Sequence, residues 1–183
     1  MASVLQPTDE NLELLRGVLR DGGLVAIPTE TVYGLAANAF NSSACENIYQ
    51  AKGRPATDPL ICHVASVSIA QSIASFNQLS RHLADLFWPG PLTLILPKAK
   101  VIPDIVTAGL DSVGVRCPIH PVFRQLIESL EFPLAAPSAN PFAYISPTTA
   151  AHVADNLGDK IDYILDGGPS ALGLESTIVD ARN

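Results

Sequence analysis

Leu24-Val-Ala-Ile-Pro-Thr-Glu-Thr-Val-Tyr-Gly34 joins a short apolar run to a polar stretch bounded by a proline and a glycine. The run Leu24 to Ile27 predicts a buried strand that stops at Pro28, because proline cannot donate to a ladder. Upstream, Thr8 followed by acidic residues predicts a helix over about Asp9–Arg20 with Thr8 as N-cap, ended by Gly22–Gly23. Downstream, a second helix is predicted over about Ser43–Ala51 with Ser42 or Ser43 as cap. A helix, a buried strand and a helix in succession point to a sheet covered by helices.

The rest of the chain repeats that alternation. Strands are predicted at Leu60–Val64, Leu92–Leu96, Val113–Arg116, Leu134–Ala136, Ile161–Leu165 and Thr177–Val179, which makes about seven in all. Ile69–Leu86 is helical in pattern with a break near Phe76–Asn77, and Trp88-Pro-Gly-Pro91 forms a rigid turn. A helix is expected near Pro121–Ser129, and another starts at Ser146-Pro147 in N-cap and N1 order and closes at Gly158. No G-x-G-x-x-G follows a strand, and no G-x-x-x-x-G-K-[ST] occurs, so a doubly wound nucleotide-binding topology is not expected.

Composition sets the outer bounds. The 183 residues are 48% apolar and only 16% charged. This excludes disorder and suits one compact domain spanning residues 1–183. No stretch approaches the ~20 apolar residues needed to span a bilayer, and Met1–Asp9 lacks the pattern of a signal peptide. A cytoplasmic location with no membrane association is the expectation. The net charge of −7 argues against a general nucleic-acid-coating role. A local basic pocket remains open, because Lys52, Arg54 and Arg116 fall in otherwise uncharged segments. The widely spaced Cys45, Cys62 and Cys117 read as buried reduced thiols, and the four scattered histidines predict no metal cage.

Four polar clusters follow strand-like runs, where ligand sites of α/β sheets form. In the first, Thr29 and Thr31 offer hydroxyls and Tyr33 a phenol, although the segment alone favours a helix start capped by Thr29. In the second, Lys52-Gly-Arg-Pro55, two cations could converge on a polyphosphate, or merely answer a helix dipole. In the third, Asp111-Ser-Val-Gly-Val-Arg116, alternation puts Ser112, Gly114 and Arg116 on one face. A buried Arg116 there needs a carboxylate or phosphate partner, from the protein or from a ligand. In the fourth, Ala135-Ala-Pro-Ser-Ala-Asn140, small residues allow close ligand approach, while an ordinary Ser/Asn turn explains it equally. Ser146 reads as a helix cap, Ser176 as facing a ligand or a turn amide, and His63 as a lone histidine at a strand end.

Taken together and in order, these segments resemble a known family. Pro28-Thr-Glu-Thr-Val-Tyr-Gly-Leu35, Lys52-Gly-Arg-Pro55, Trp88-Pro-Gly-Pro-Leu-Thr93, Val115-Arg116, Ala136-Pro-Ser-Ala-Asn140 and Glu175-Ser-Thr177 resemble the YrdC-like family, the L-threonylcarbamoyladenylate synthases. The resemblance covers about Thr8 to Asp180. It implies a single-domain, twisted, open mixed β-sheet with flanking helices and a basic concave groove. It also implies condensation of L-threonine, bicarbonate and ATP to threonylcarbamoyl-AMP and pyrophosphate, the first step of tRNA threonylcarbamoyladenosine modification.

Carried over by position, Thr29, His63, Arg116, Ala136 and Ser176 would surround L-threonine, with Arg116 on its carboxylate. Lys52, Arg54, Ala56, Ser112, Ser138, Asn140 and Ser146 would surround ATP. Lys52 and Arg54 would be the catalytic cations that offset developing phosphate charge, with a loosely held Mg²⁺. The implied partners are a downstream tRNA threonylcarbamoyl-transfer complex and tRNA itself. Asp58 and Ala36 stand where the family often has Asn and Gly. A further phosphate-binding Arg that members carry beyond the Glu-Ser-Thr strand is not among these residues. The alternative from another class is an RNA-binding module using the same groove without adenylation, against which the acidic charge and few aromatics weigh.

Overall fold

The computed structural model describes all residues from Met1 to Asn183. Thr8 caps α1 (Asp9–Arg20) as expected, its hydroxyl accepting from the Asn11 amide at 3.3 Å. Asp9 and Glu10 in the first turn complement the helix dipole. Leu12, Leu15 and Leu19, spaced i, i+3, i+7, form the buried face of α1. β2 (Val25–Ile27) follows, preceded in sequence by the short edge strand β1 (Ser3–Leu5).

The polar stretch after Pro28 is not a helix start. It turns tightly and re-enters the sheet as β3 (Gly34–Asn38), antiparallel to β2. The Thr29 hydroxyl accepts from the Thr31 and Val32 amides and donates to the Val32 carbonyl at 2.7 Å, so it fastens a turn. α2 (Ser42–Lys52) is capped by Asn41, not by Ser42 or Ser43. It ends at Gly53, whose φ of 62° is left-handed backbone that glycine adopts readily.

β4 (Ile61–His63) leads to α3 (Val67–Ile73) and α4 (Gln78–Phe87), which part at the break expected near Phe76–Asn77. After the Trp88–Pro91 turn come β5 (Leu92–Pro97), the short α5 (Asp104–Thr107), β6 (Ser112–Arg116) and α6 (Pro121–Ile127). β7 (Leu134–Ala135), α7 (Ala150–Leu157), β8 (Tyr163–Leu165) and β9 (Thr177–Asp180) complete the chain. The cap of α7 is Thr149, not Ser146; Thr149 has the same hydroxyl chemistry and accepts from the His152 amide at 3.2 Å.

The strands form one mixed sheet in the order β1-β8-β2-β3-β7-β4-β6-β5-β9. β4 and β6 run parallel, while β3, β7 and β5 run antiparallel to their neighbours β2, β4 and β6. This is the open mixed α/β sheet that the resemblance implies. Alternation sends Ala26 into the larger apolar cluster and Val25 and Ile27 into the smaller one, so β2 is buried on both faces. The smaller cluster is built mainly from α1, α6, β2, β3, β7 and β8 and contains no residue of β5, β6 or β9. On that face the apolar packing therefore stops short of β6, and polar side chains take over.

Candidate substrate pocket

The pocket forms at that transition. Thr93 of β5 pairs with Arg116 of β6, which pairs with His63 of β4, so the register sets these three side by side on one face. The Thr29–Gly34 turn, the Ala136–Ser138 segment after β7 and Glu175–Ser176 before β9 close around them. All five residues expected at L-threonine (Thr29, His63, Arg116, Ala136 and Ser176) line this one cavity, together with Ser138. At about 40 Å³, it holds roughly three water-sized centres and is far too small for a nucleotide. Gly34 also lines it, and a Cβ there would crowd Ala136, whose Cβ would lie 3.3 Å away.

Arg116 is 4% exposed, and its guanidinium is held from one side. Nη1 donates to the Thr31 hydroxyl at 2.8 Å and Nη2 to Glu30 Oε1 at 2.6 Å. The other Glu30 oxygen accepts from the Ile119 amide at 3.2 Å. The partner question left open by the sequence is thus answered with a protein carboxylate, one that was not among the expected site residues. Yet Arg116 Nε is buried with no hydrogen-bond partner. An orphaned donor on a charged group is costly unless a ligand supplies an acceptor.

His63 packs on Phe123, ring centroids 5.7 Å apart. Burial, reinforced by the Arg116 charge, depresses its pKa from 6.5 to about 3, so the imidazole is neutral at physiological pH. Its Nδ1 lies 3.3 Å from the Ile61 carbonyl. The unfolded chain takes up a proton at His63 near its ordinary pKa and the folded chain does not. Stability contributed by neutral His63 is therefore complete above about pH 6.5 and is lost as the pH falls toward 3. His120, also depressed by burial, acts in the same direction. Urea midpoints should fall between pH 7 and pH 5, and His63→Gln should flatten that slope. An unchanged slope in the variant would mean that His63 is not the group responsible.

The second cluster is arranged differently from a polyphosphate clamp. Lys52 is 3% exposed and turns inward, with Nζ donating to the Ser138 carbonyl at 2.5 Å and to the carbonyl and side-chain oxygens of Asn140. Three oxygens match the three ammonium protons, so Lys52 ties α2 to the Ser138–Asn140 turn. Burial, with help from the Arg54 charge, lowers its pKa to about 8. The left-handed Gly53 sends Arg54 elsewhere: its guanidinium bonds the Asp58 and Pro59 carbonyls and pairs with the Asp58 carboxylate at 2.9 Å. The two cations therefore do not converge.

The other expected ATP residues are spread around the pocket. Ala56 is exposed in the loop after α2. Ser112 begins β6, about 13 Å along the strand from Arg116 by strand rise. Asn140 is buried, its amide donating to the Tyr144 carbonyl at 2.6 Å. Ser146 donates to Glu175 Oε1 at 2.5 Å. Ser176 shares a 2.7 Å hydrogen bond with Thr93. Glu30, Thr93 and Glu175 thus join the site without having been expected there, and Thr31, singled out above for its hydroxyl, joins it as well. Glu30 and Thr31 directly follow Thr29 in the quoted segment, and only the register across the sheet brings Thr93 and Glu175 in.

The family model described as telomere recombination, which groups Sua5, YciO and YrdC, matches residues 17–183. A threonylcarbamoyl-AMP synthase of Pyrococcus abyssi is 50% identical over 170 residues, covering 92% of this chain and 50% of that protein. One from Bacillus subtilis is 46% identical over 181 residues, covering 98% of this chain and 52% of that protein. The crystal structure of P. abyssi Sua5 complexed with L-threonine superposes with a TM-score of 0.94 at 46% identity, over 98% of this chain and 54% of that one. The chain thus spans about half the length of the curated relatives it matches. By the extent of the family match and these identities, the chain belongs to the Sua5/YciO/YrdC family.

Proposed function

We propose that this chain binds L-threonine on Arg116 and condenses it with bicarbonate and ATP to threonylcarbamoyl-AMP, releasing pyrophosphate and water. The observation that carries this reading is the buried Arg116 guanidinium with its unpartnered Nε, on the floor of a small pocket walled by Thr29, Thr31, His63 and Ser176. Such a pocket suits a small carboxylate bearing a hydroxyl. The likeness to P. abyssi Sua5, which has been crystallised with L-threonine, supports that choice of carboxylate.

The chemistry needs no protein nucleophile. Threonine's ammonium first gives up a proton; the free amine attacks the carbon of bicarbonate, water leaves, and a carbamate remains. A carbamate oxygen then attacks the α-phosphorus of ATP, and the bond to pyrophosphate breaks. Positioning and charge stabilisation drive such a transfer. In this reading Arg54, Ala56, Ser112, Ser138, Asn140 and Ser146 face the nucleotide, giving the groove its basic lining through Arg54. Lys52 serves it by fixing the Ser138–Asn140 turn. No three His, Cys, Asp or Glu residues stand together as a cation cage, so Mg²⁺ would be held mainly by the ATP phosphates.

The product would pass to a complex that transfers threonylcarbamoyl to tRNA, in the cytoplasm and with or without direct tRNA contact. No helix is long and apolar enough to cross a membrane. Incubating the protein with ATP tests the reading: pyrophosphate release should require both L-threonine and bicarbonate, and release that ignores threonine would contradict it. Lys52→Ala is expected to raise KM for ATP about tenfold or more, since it leaves buried Asn140 oxygens without their donor. An unchanged KM at limiting ATP would remove Lys52 from the ATP site.

A further inference from the structure

The pocket has a polarity that the threonine reading alone does not account for. Of the residues lining it, Arg116 is the one cation and Glu175 the one carboxylate. The other nearby acid, Glu30, has both oxygens engaged, by Arg116 and by the Ile119 amide. Glu175 is different. It is exposed at the mouth, forms no ion pair, and uses only Oε1, which accepts from Ser146. Its Oε2 accepts no hydrogen bond.

A guanidinium on the floor and a half-used carboxylate at the mouth form a fixed dipole. A phosphate entering the pocket would be repelled by that carboxylate, and a simple carboxylic acid would leave it unused. A zwitterion with its two charges on adjacent carbons satisfies both ends. We infer that Glu175 is the ammonium subsite of the pocket: it receives the α-ammonium of the amino acid whose carboxylate lies on Arg116. This rests on the proposed function and adds the residue that would recognise the amine.

Once the amine has become an anionic carbamate, attraction to Glu175 turns to repulsion. The carbamate would then be driven away from Glu175, toward the nucleotide. Ser146, assigned to the nucleotide, is hydrogen-bonded to Glu175 and so couples the two subsites. Carboxylation would thus reverse the sign of one contact while leaving the grip on Arg116 intact.

Titration calorimetry on the intact protein tests the assignment with two probes, L-threonine and the analogue in which a hydroxyl replaces the α-ammonium, 2,3-dihydroxybutanoate. Glu175→Gln is expected to weaken L-threonine about fivefold or more and to leave the analogue within about twofold of its wild-type affinity. Retained analogue binding also shows that the pocket of the variant is intact. Unchanged L-threonine affinity in Glu175→Gln, or equal losses for both probes, would overturn the ammonium subsite while leaving the proposed function standing. Failure of the wild-type protein to bind L-threonine would overturn the proposed function, and the subsite with it.

Discussion

Glu30→Ala is expected to lower folding stability by about 3–5 kcal/mol, because it strands a buried guanidinium without its counter-charge. The two partners, Arg116 and Glu30, have side chains only 5% and 7% exposed, so water cannot replace the lost carboxylate. Glu30 also accepts from the Ile119 amide, which adds an orphaned donor to the loss. Chemical denaturation should show a lower midpoint at an unchanged slope. The double variant Glu30→Ala with Arg116→Met should recover part of the loss, since removing both charges costs less than removing one. A midpoint shift smaller than that of an ordinary surface substitution, about 0.5 kcal/mol, would show that the pair is not closed in solution.

The second large effect concerns binding. Arg116→Lys keeps a positive charge for Glu30 but replaces the planar fork with a point charge and removes Nε altogether. L-threonine affinity is expected to fall by about thirtyfold or more, the equivalent of a bidentate charge-assisted contact, with ATP affinity within about threefold of wild type. The asymmetry follows from geometry: Arg116 lies in the small pocket, whereas Lys52, Arg54 and Ser112 lie outside it. Equal losses for both ligands, measured by separate titrations, would take Arg116 out of the threonine site.

The fold was legible where local chemistry and burial agreed. Thr8 and Gly22 bracket α1 as expected, and the Phe76–Asn77 break falls between α3 and α4. β3 was missed because Gly34-Leu-Ala-Ala-Asn38 lacks β-branched and aromatic residues, and burial on both faces removes the alternation that betrays a strand. Ser146 was mistaken for a cap because Thr149, three residues on, offers the same hydroxyl chemistry. At the site, the small pocket gathers the residues expected to meet threonine. The sequence could not show that Glu30 would hold Arg116, a contact spanning 86 residues that depends on the β3-β7-β4-β6 strand order. Nor could it show that a left-handed Gly53 would turn Lys52 inward and Arg54 outward.

In the proposed reaction, one small pocket floored by Arg116 commits threonine to reaction with bicarbonate and ATP. Mass spectrometry of the nucleotide products formed from ¹³C-bicarbonate, L-threonine and ATP tests it directly. The expected product is an adenylate carrying one labelled carbon and one threonine, absent when threonine or bicarbonate is left out. AMP or ADP without that labelled adduct, from protein that binds both threonine and ATP, would contradict it.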